Sequence, residues 1–247
     1  MRYVVFFLAG WLLLAAHASA QVTREEFEAL KSEVGTLREA IRAQSEVLKQ
    51  LLARGGTPFK ETLVSIDGAA SYGSADARVI VVEFSDYQCP FCARYATDTF
   101  PLLERDYIKS GRVKYVFRDY PVESSHPQAF KAHEAVHCAA DQGKRREMHD
   151  RVFSNQRTMR LEHLTAHAEA LKLDKALFER CLTAGSHAAR IRSAIAAGHE
   201  AGVRGTPTFF VGFAEPDGSK IRAIRRIVGA QPYAAFKAAI DEVLSAK

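Results

Sequence analysis

Beyond residue 20 the chain lacks any apolar run of the roughly 20 residues needed to cross a bilayer. That excludes a bundle of membrane spans. It also lacks a strong charge of one sign: the formal net charge is +5, Arg2 is the only charged residue among the first twenty, and the remainder carries +4. Lys and Arg alternate with Asp and Glu except at Lys144-Arg145-Arg146 and Arg222 to Arg226. These clusters read as solvated faces, so nucleic acid is not expected as a partner. Tryptophan is confined to Trp11, and between Gln21 and about Arg54 there is no proline, with Gly35 the only breaker. From His126 to about Val203 no run has strand character, so that stretch reads as helical, in pieces broken near Gly143, Arg160, Asp174 and Gly185.

What is present divides the chain into three. Arg2, the apolar run Val4 to Ala16 and the small-residue end Ala18-Ser19-Ala20 read as a secretory signal peptide over residues 1–20, which predicts a periplasmic location and permits disulfides. Residues 21–56 keep a heptad beat. Phe27, Leu30, Val34, Leu37, Ile41, Leu48 and Leu51 fall on alternating steps of three and four, with Gln44 at the remaining seam position. Two parallel copies place Glu26 opposite the partner's Lys31 and Glu33 opposite the partner's Arg38, which favours a homo-oligomer. The alternative is an amphipathic helix folded onto its own domain. Residues 57–247 then read as α/β, with strands at Glu61–Ile66, Arg78–Phe84, Arg112–Arg118, Thr208–Val211 and Ile221–Val228, a last helix over Pro232–Ala246, and a loop over Asp67–Ala77. The all-helical stretch, about 122–203, interrupts the sheet.

The chemistry concentrates at Cys89-Pro90-Phe91-Cys92, directly after the apolar strand and opening a helix predicted to reach about Lys109 with a kink at Pro101. A thiol at a helix N-terminus faces unpaired N–H groups and the positive end of the dipole, so Cys89 is expected to ionise below the ~8.5 of free cysteine. Cys92, nearly one turn on, lies close enough to form a disulfide with it. Strand, helix and strand make a βαβ unit with both cysteines at the C-terminal sheet edge.

The segment Val82-Glu83-Phe84-Ser85-Asp86-Tyr87-Gln88-Cys89-Pro90-Phe91-Cys92 resembles the active site of DsbA-like thiol–disulfide oxidoreductases of the thioredoxin superfamily. Gly205-Thr206-Pro207-Thr208-Phe209 resembles their cis-proline loop, while Arg118-Asp119-Tyr120-Pro121, His126-Pro127 and Gln142 to Asp150 resemble segments around their helical insertion. The resemblance implies a thioredoxin-like fold, with Cys89 as exposed nucleophile, Cys92 as resolving thiol, and Thr206 and Pro207 facing them. It implies no cofactor. It further implies that Glu83 is either a buried acid near Cys92 or a solvent-facing residue, and that Cys138 and Cys181, each alone in its helix, form either a structural disulfide or two buried thiols. Gln88 stands where thioredoxins often carry an indole, and Arg145-Arg146 where many relatives carry aromatics.

The expected partners are reduced or misoxidised proteins and a membrane redox protein for re-oxidation. Dithiol oxidase leads, with an oligomeric disulfide isomerase or reductase as the alternative. A chaperone-like or metal-binding module is the non-enzymatic one. No metal site is expected: His133, His137 and Cys138 share a helix, but there is no second CxxC to complete one. The remaining histidines read as surface or half-buried fillers.

Overall fold

The structure, a computed structural model, describes residues 23–55, 59–157 and 159–246, without the side chains of 48–55. It comprises two units, Met1–Thr57 and Pro58–Lys247. The expected signal peptide lies outside the described residues.

Among the described residues the first unit is one helix, α1 (Arg24–Gly55). Thr23 and Glu26 start it as a capping box: Glu26 N donates to Thr23 Oγ1 (3.2 Å) and Thr23 N to Glu26 Oε2 (2.8 Å). Its heptad positions Phe27, Leu30, Val34, Leu37 and Ile41 are between 41% and 58% exposed. In this single chain Lys31 pairs with Glu28 (3.5 Å). The side chains of Leu48 and Leu51 lie outside the described residues.

The second unit is built on a six-stranded sheet, in the order β1 (Thr62–Ser65), β6 (Lys220–Val228), β5 (Thr208–Ala214), β3 (Val79–Ser85), β4 (Val113–Asp119), β2 (Ala70–Tyr72). Only β3 and β4 pair in parallel. All seven residues of β3 are buried, as its continuous β-branched run predicts for a central strand covered on both faces. Val79 and Val81 pack on one face with Tyr115, Phe209 and Phe236; Ile80, Val82 and Phe84 pack on the other with Val64, Val116 and Phe210. β2 corrects the reading of 67–77 as loop. It is three residues long, gains its order by pairing with β4, and ends at Gly73 (φ +91°), where a Cβ would come within 2.7 Å of the Val113 carbonyl.

The helix after β3 winds as α2 (Pro90–Arg94), a π turn (Tyr95–Thr99), α3 (Phe100–Leu103) and a second π turn (Glu104–Ile108). Pro101 supplies no N–H, so the widened turns beside it take the place of the expected kink. The insertion forms five helices: α4 (Ala129–Ala140), α5 (Arg145–Ser154), α6 (Leu161–Ala170), α7 (Lys175–Ala184) and α8 (Ala188–Glu200). Asp174 caps α7 by accepting from Leu177 N (2.9 Å), and Gly185 (φ +63°) ends it in the left-handed region. Helix α9 (Tyr233–Ser245) closes the fold, burying Phe236, Ile240 and Val243 against the sheet. Among the described residues no helix is long and apolar enough to cross a membrane.

Candidate active site

The loop leaving β3 is set by Asp86. Its Oδ1 accepts from Gln88 N (2.7 Å) in an Asx turn, and its Oδ2 accepts from Val122 N (2.7 Å) and the His126 ring (2.8 Å). Cys89 N donates to Asp86 O (3.1 Å), which delivers Cys89 in extended conformation as the N-cap of α2, with Pro90 at the first helical position. Both Cys89 and Cys92 are free thiols.

Their surroundings drive them apart. The hydrogen bond from the Cys92 thiol lowers Cys89 to about 6 against the opposition of burial, and Thr206 and the N–H groups of Cys92 and Phe91 act in the same sense. Cys92 is pushed well above the ordinary thiol range, first by burial and then by the neighbouring Cys89. One feature differs from the sequence-based expectation: Cys89 is 3% exposed. Its sulfur rests 3.4 Å from the Thr206 carbonyl oxygen, and its own carbonyl is covered by Gln156. Phe91, by contrast, is 54% exposed beside the guanidinium of Arg94 (5.2 Å from the ring centroid).

The bond Thr206–Pro207 is cis. Because Thr208 of β5 pairs with Phe84 of β3, the residues before β5 lie against the loop that follows β3, which brings Thr206 to Cys89 from 117 residues away. Pro207 O accepts from Gly229 N (2.8 Å), and Thr208 Oγ1 donates to Gly205 O (2.7 Å), tying down both sides of the loop.

Glu83 shares its strand parity with Val79 and Val81 and so points under the cysteine-bearing helix; the sheet has no solvent face here. It is 3% exposed. Its Oε2 accepts from Tyr115 OH (2.5 Å), which also contacts Tyr95 OH (3.1 Å), and its Oε1 is unpartnered. Burial pushes the carboxyl up to about 7, against the opposing pull of the Tyr115 hydrogen bond and the nearby Ser85 hydroxyl.

In the insertion, Cys138 of α4 and Cys181 of α7 form a disulfide across a Cα–Cα distance of 5.8 Å. His187 lies beside it, but both sulfurs are spent on each other. His133 and His137 converge on Asp119, at 2.6 and 2.8 Å. Burial opposes ionisation of Asp119, but these hydrogen bonds hold its carboxyl well below the usual range. Arg145 donates to His137 Nδ1 (2.6 Å), leaving Nε2–H for Asp119. The reading of the other histidines as surface or half-buried fillers is corrected by His149, 8% exposed and pushed down to about 3 by burial and by Arg146 and Arg145. Neutral at Nδ1, it accepts from Tyr87 OH (2.8 Å). Arg145 and Arg146 are half-buried rather than solvated; Arg146 pairs with Glu104 and Asp150 and covers Tyr72 and Phe100. In the other basic cluster, Arg222 pairs with Glu61 and Glu215, and Arg225 with Glu242.

Sequence reasoning missed Asp86, Tyr87, His149 and Gln156, which together fix the cysteine loop. Only Asp86 left a signal, as an acid opening a turn directly after a strand.

Comparison with known proteins bears on the fold that carries these residues. A thioredoxin family model matches residues 66–242. The oxidised BdbD of Bacillus subtilis superposes with a TM-score of 0.64 at 24% identity, over 75% of this chain and 98% of that one. For alpha-DsbA1 of Wolbachia pipientis the TM-score is 0.61 at 21% identity, over 72% and 92%. A stretch of 139 residues is 40% identical to a Na(+)/H(+) antiporter NhaA 3 of Salinispora tropica, covering 56% of this chain and 21% of that protein. The chain thus spans about a fifth of the length of the curated relatives it matches. By the extent of the family match and by its architecture, the chain belongs to the thioredoxin family and has the DsbA-like form of the fold, a sheet interrupted by a helical insertion.

Proposed function

We propose that the protein is an extracytoplasmic protein thiol–disulfide oxidoreductase that works through Cys89 and Cys92, in the direction of dithiol oxidation. The observation that carries this is the unequal pair: one sulfur at a helix N-terminus lowered to about 6, its partner pushed far up beneath it. A stabilised Cys89 thiolate favours the reduced protein and so makes the oxidised one a good acceptor of electrons.

In the oxidised form a substrate thiolate attacks Cys89 Sγ, the Cys89–Cys92 bond breaks, and Cys92 leaves as a thiolate. Glu83, whose carboxyl burial pushes up to about 7, supplies its proton. A second substrate thiolate then attacks the substrate sulfur of the mixed disulfide and releases Cys89 as a thiolate. The substrate gains a disulfide, the protein gains two electrons, and a membrane redox partner removes them. With Cys89 3% exposed, the client reaches the sulfur by pairing its extended main chain with the Thr206 backbone, replacing the contact that now covers Sγ. Such pairing reads backbone, so it tolerates many clients.

The exposed heptad stripe of α1 supports assembly into a parallel homo-oligomer, with Glu26 and Glu33 facing the partner's Lys31 and the partner's Arg38. This stripe also keeps disulfide isomerase as a second reading, since linked redox modules enclose a client. The test is oxidation of a reduced peptide dithiol, with refolding of scrambled ribonuclease alongside. Rapid peptide oxidation that disappears in Cys89→Ser supports the oxidase. Isomerisation lost in a Leu30→Glu, Leu37→Glu variant that still oxidises the peptide supports the isomerase. Peptide oxidation that survives Cys89→Ser overturns both.

A further inference from the structure

Every residue of the loop from Asp86 to Cys89 is held by a group from beyond β4: Asp86 by Val122 and His126, Tyr87 by His149, Gln88 by the N–H of Gln128 (2.9 Å), and Cys89 by Gln156. Gln156 differs from the others in touching the cysteine itself. It follows α5, and its side-chain Nε2 donates to Tyr87 O and to Cys89 O, each at 2.8 Å. Two carbonyl oxygens can be satisfied only by the amide nitrogen, which fixes the side chain's orientation. Cys89 O also accepts the first helical bond, from Ala93 N (3.1 Å), so both its lone pairs are engaged.

We propose that Gln156 is a positioning residue for Cys89, through which the helical insertion sets the nucleophile's acidity. The inference rests on Cys89 being the nucleophile of the proposed oxidoreductase. Physically, the amide holds the Cys89 carbonyl into the helix. This keeps Sγ where the Cys92 thiol and the N–H groups of Cys92 and Phe91 reach it, and the positive end of the amide dipole faces the loop that bears the thiolate. Without that donor, two carbonyls compete for other hydrogens, and the sulfur is freed from the geometry that lowers its pKa. The signal was invisible in sequence because the contact spans 67 residues.

The experiment is titration of the Cys89 thiolate by its ultraviolet absorbance in the reduced full-length protein, together with the redox equilibrium against glutathione. It compares wild type with Gln156→Leu, which removes the donor, and Gln156→Glu, which keeps the length but presents an acceptor and a charge. Ser154→Ala on the same turn serves as control. We expect the midpoint to rise by half a pH unit or more in Gln156→Leu and further in Gln156→Glu, with a threefold or larger fall in the equilibrium constant for reduction, and no change in Ser154→Ala. A titration and equilibrium unchanged in both variants overturn the proposal, even if thermal stability falls, because a purely structural tie leaves the thiolate where it was. If the wild type shows no low midpoint at all, the oxidoreductase reading itself fails, which is a separate outcome.

Discussion

The chain carries two cysteine pairs within one fold, and they have opposite chemistry. Cys89 and Cys92 are three residues apart at the start of a helix, unbonded, with one thiol made acidic and the other made inert. Cys138 and Cys181 are 43 residues apart, bonded, and sit within α4 and α7 rather than at the N-terminus of either. Cysteine content alone therefore does not make a redox site. What separates the pairs is the supply of donors: the Cys92 thiol, the Thr206 loop and the N–H groups of Cys92 and Phe91 converge on Cys89, whereas Cys138, 1% exposed, is embedded among Val136, Ala139 and Leu182.

The largest effects come from exchanging the roles of the pairs. Cys89→Ser abolishes dithiol oxidation, since no other described sulfur is both free and acidified, whereas Cys138→Ala, Cys181→Ala retains it; a peptide-dithiol assay on both variants reads this directly. The second variant has its own cost. On the chain-entropy relation a bridge closing 43 residues restricts the unfolded chain by about 4 kcal/mol, and urea unfolding of the variant is expected to show a loss of that size. An oxidase rate that collapses with Cys138 and Cys181 while the fold survives would show that the two pairs are not independent.

The legible part of this contrast was local. A β-branched run announced β3, the CPFC spacing and Pro90 announced the active helix, and glycine and aspartate announced the breaks of the insertion. Strand β2 escaped because three residues carry no periodicity and are ordered only by their partner strand. Glu83 stayed ambiguous because alternation gives parity but not what covers each face, and both faces of β3 are covered. His149 was misjudged for a related reason: a histidine on a helix reads as a filler until what covers it is known, and here Tyr87, Phe117 and Phe153 close over it.

Glu83 sharpens the comparison, because a buried carboxyl with a raised pKa lies under one pair. Its folded pKa of about 7 stands above the ordinary 4.5, so between these values the unfolded chain releases a proton that the folded chain keeps. Folding stability therefore falls as pH rises through that window, and the deficit persists above 7. Glu83→Gln removes the titration while leaving Tyr115 an oxygen to donate to. The variant is expected to gain on the order of 3 kcal/mol over wild type at pH 8 and little at pH 4. Denaturation curves at the two pH values decide, and an equal gain at both would show that Glu83 is not protonated on folding.

Cys89 gives the smallest effect and the opposite sign. Its folded pKa of about 6 lies below the ordinary 9.0, so the reduced protein gains stability above 9 that is lost as pH falls through 6. At pH 7 only part of this is present, on the order of 1 kcal/mol. Reduced wild type should exceed reduced Cys89→Ser by that increment at pH 7, once their pH-independent offset is subtracted, and the increment should vanish by pH 5. Oxidation removes the titrating sulfur, so the same free energy reappears as a potential on the order of 20 mV more oxidising than an unperturbed thiol would give. The Cys138–Cys181 pair has no such link, since its bonded sulfurs do not titrate. If the stability of the reduced protein were flat between pH 5 and 7 after allowance for Glu83, neither the Cys92 thiol nor the helix N-terminus would be stabilising a thiolate, and the two pairs would differ in geometry alone.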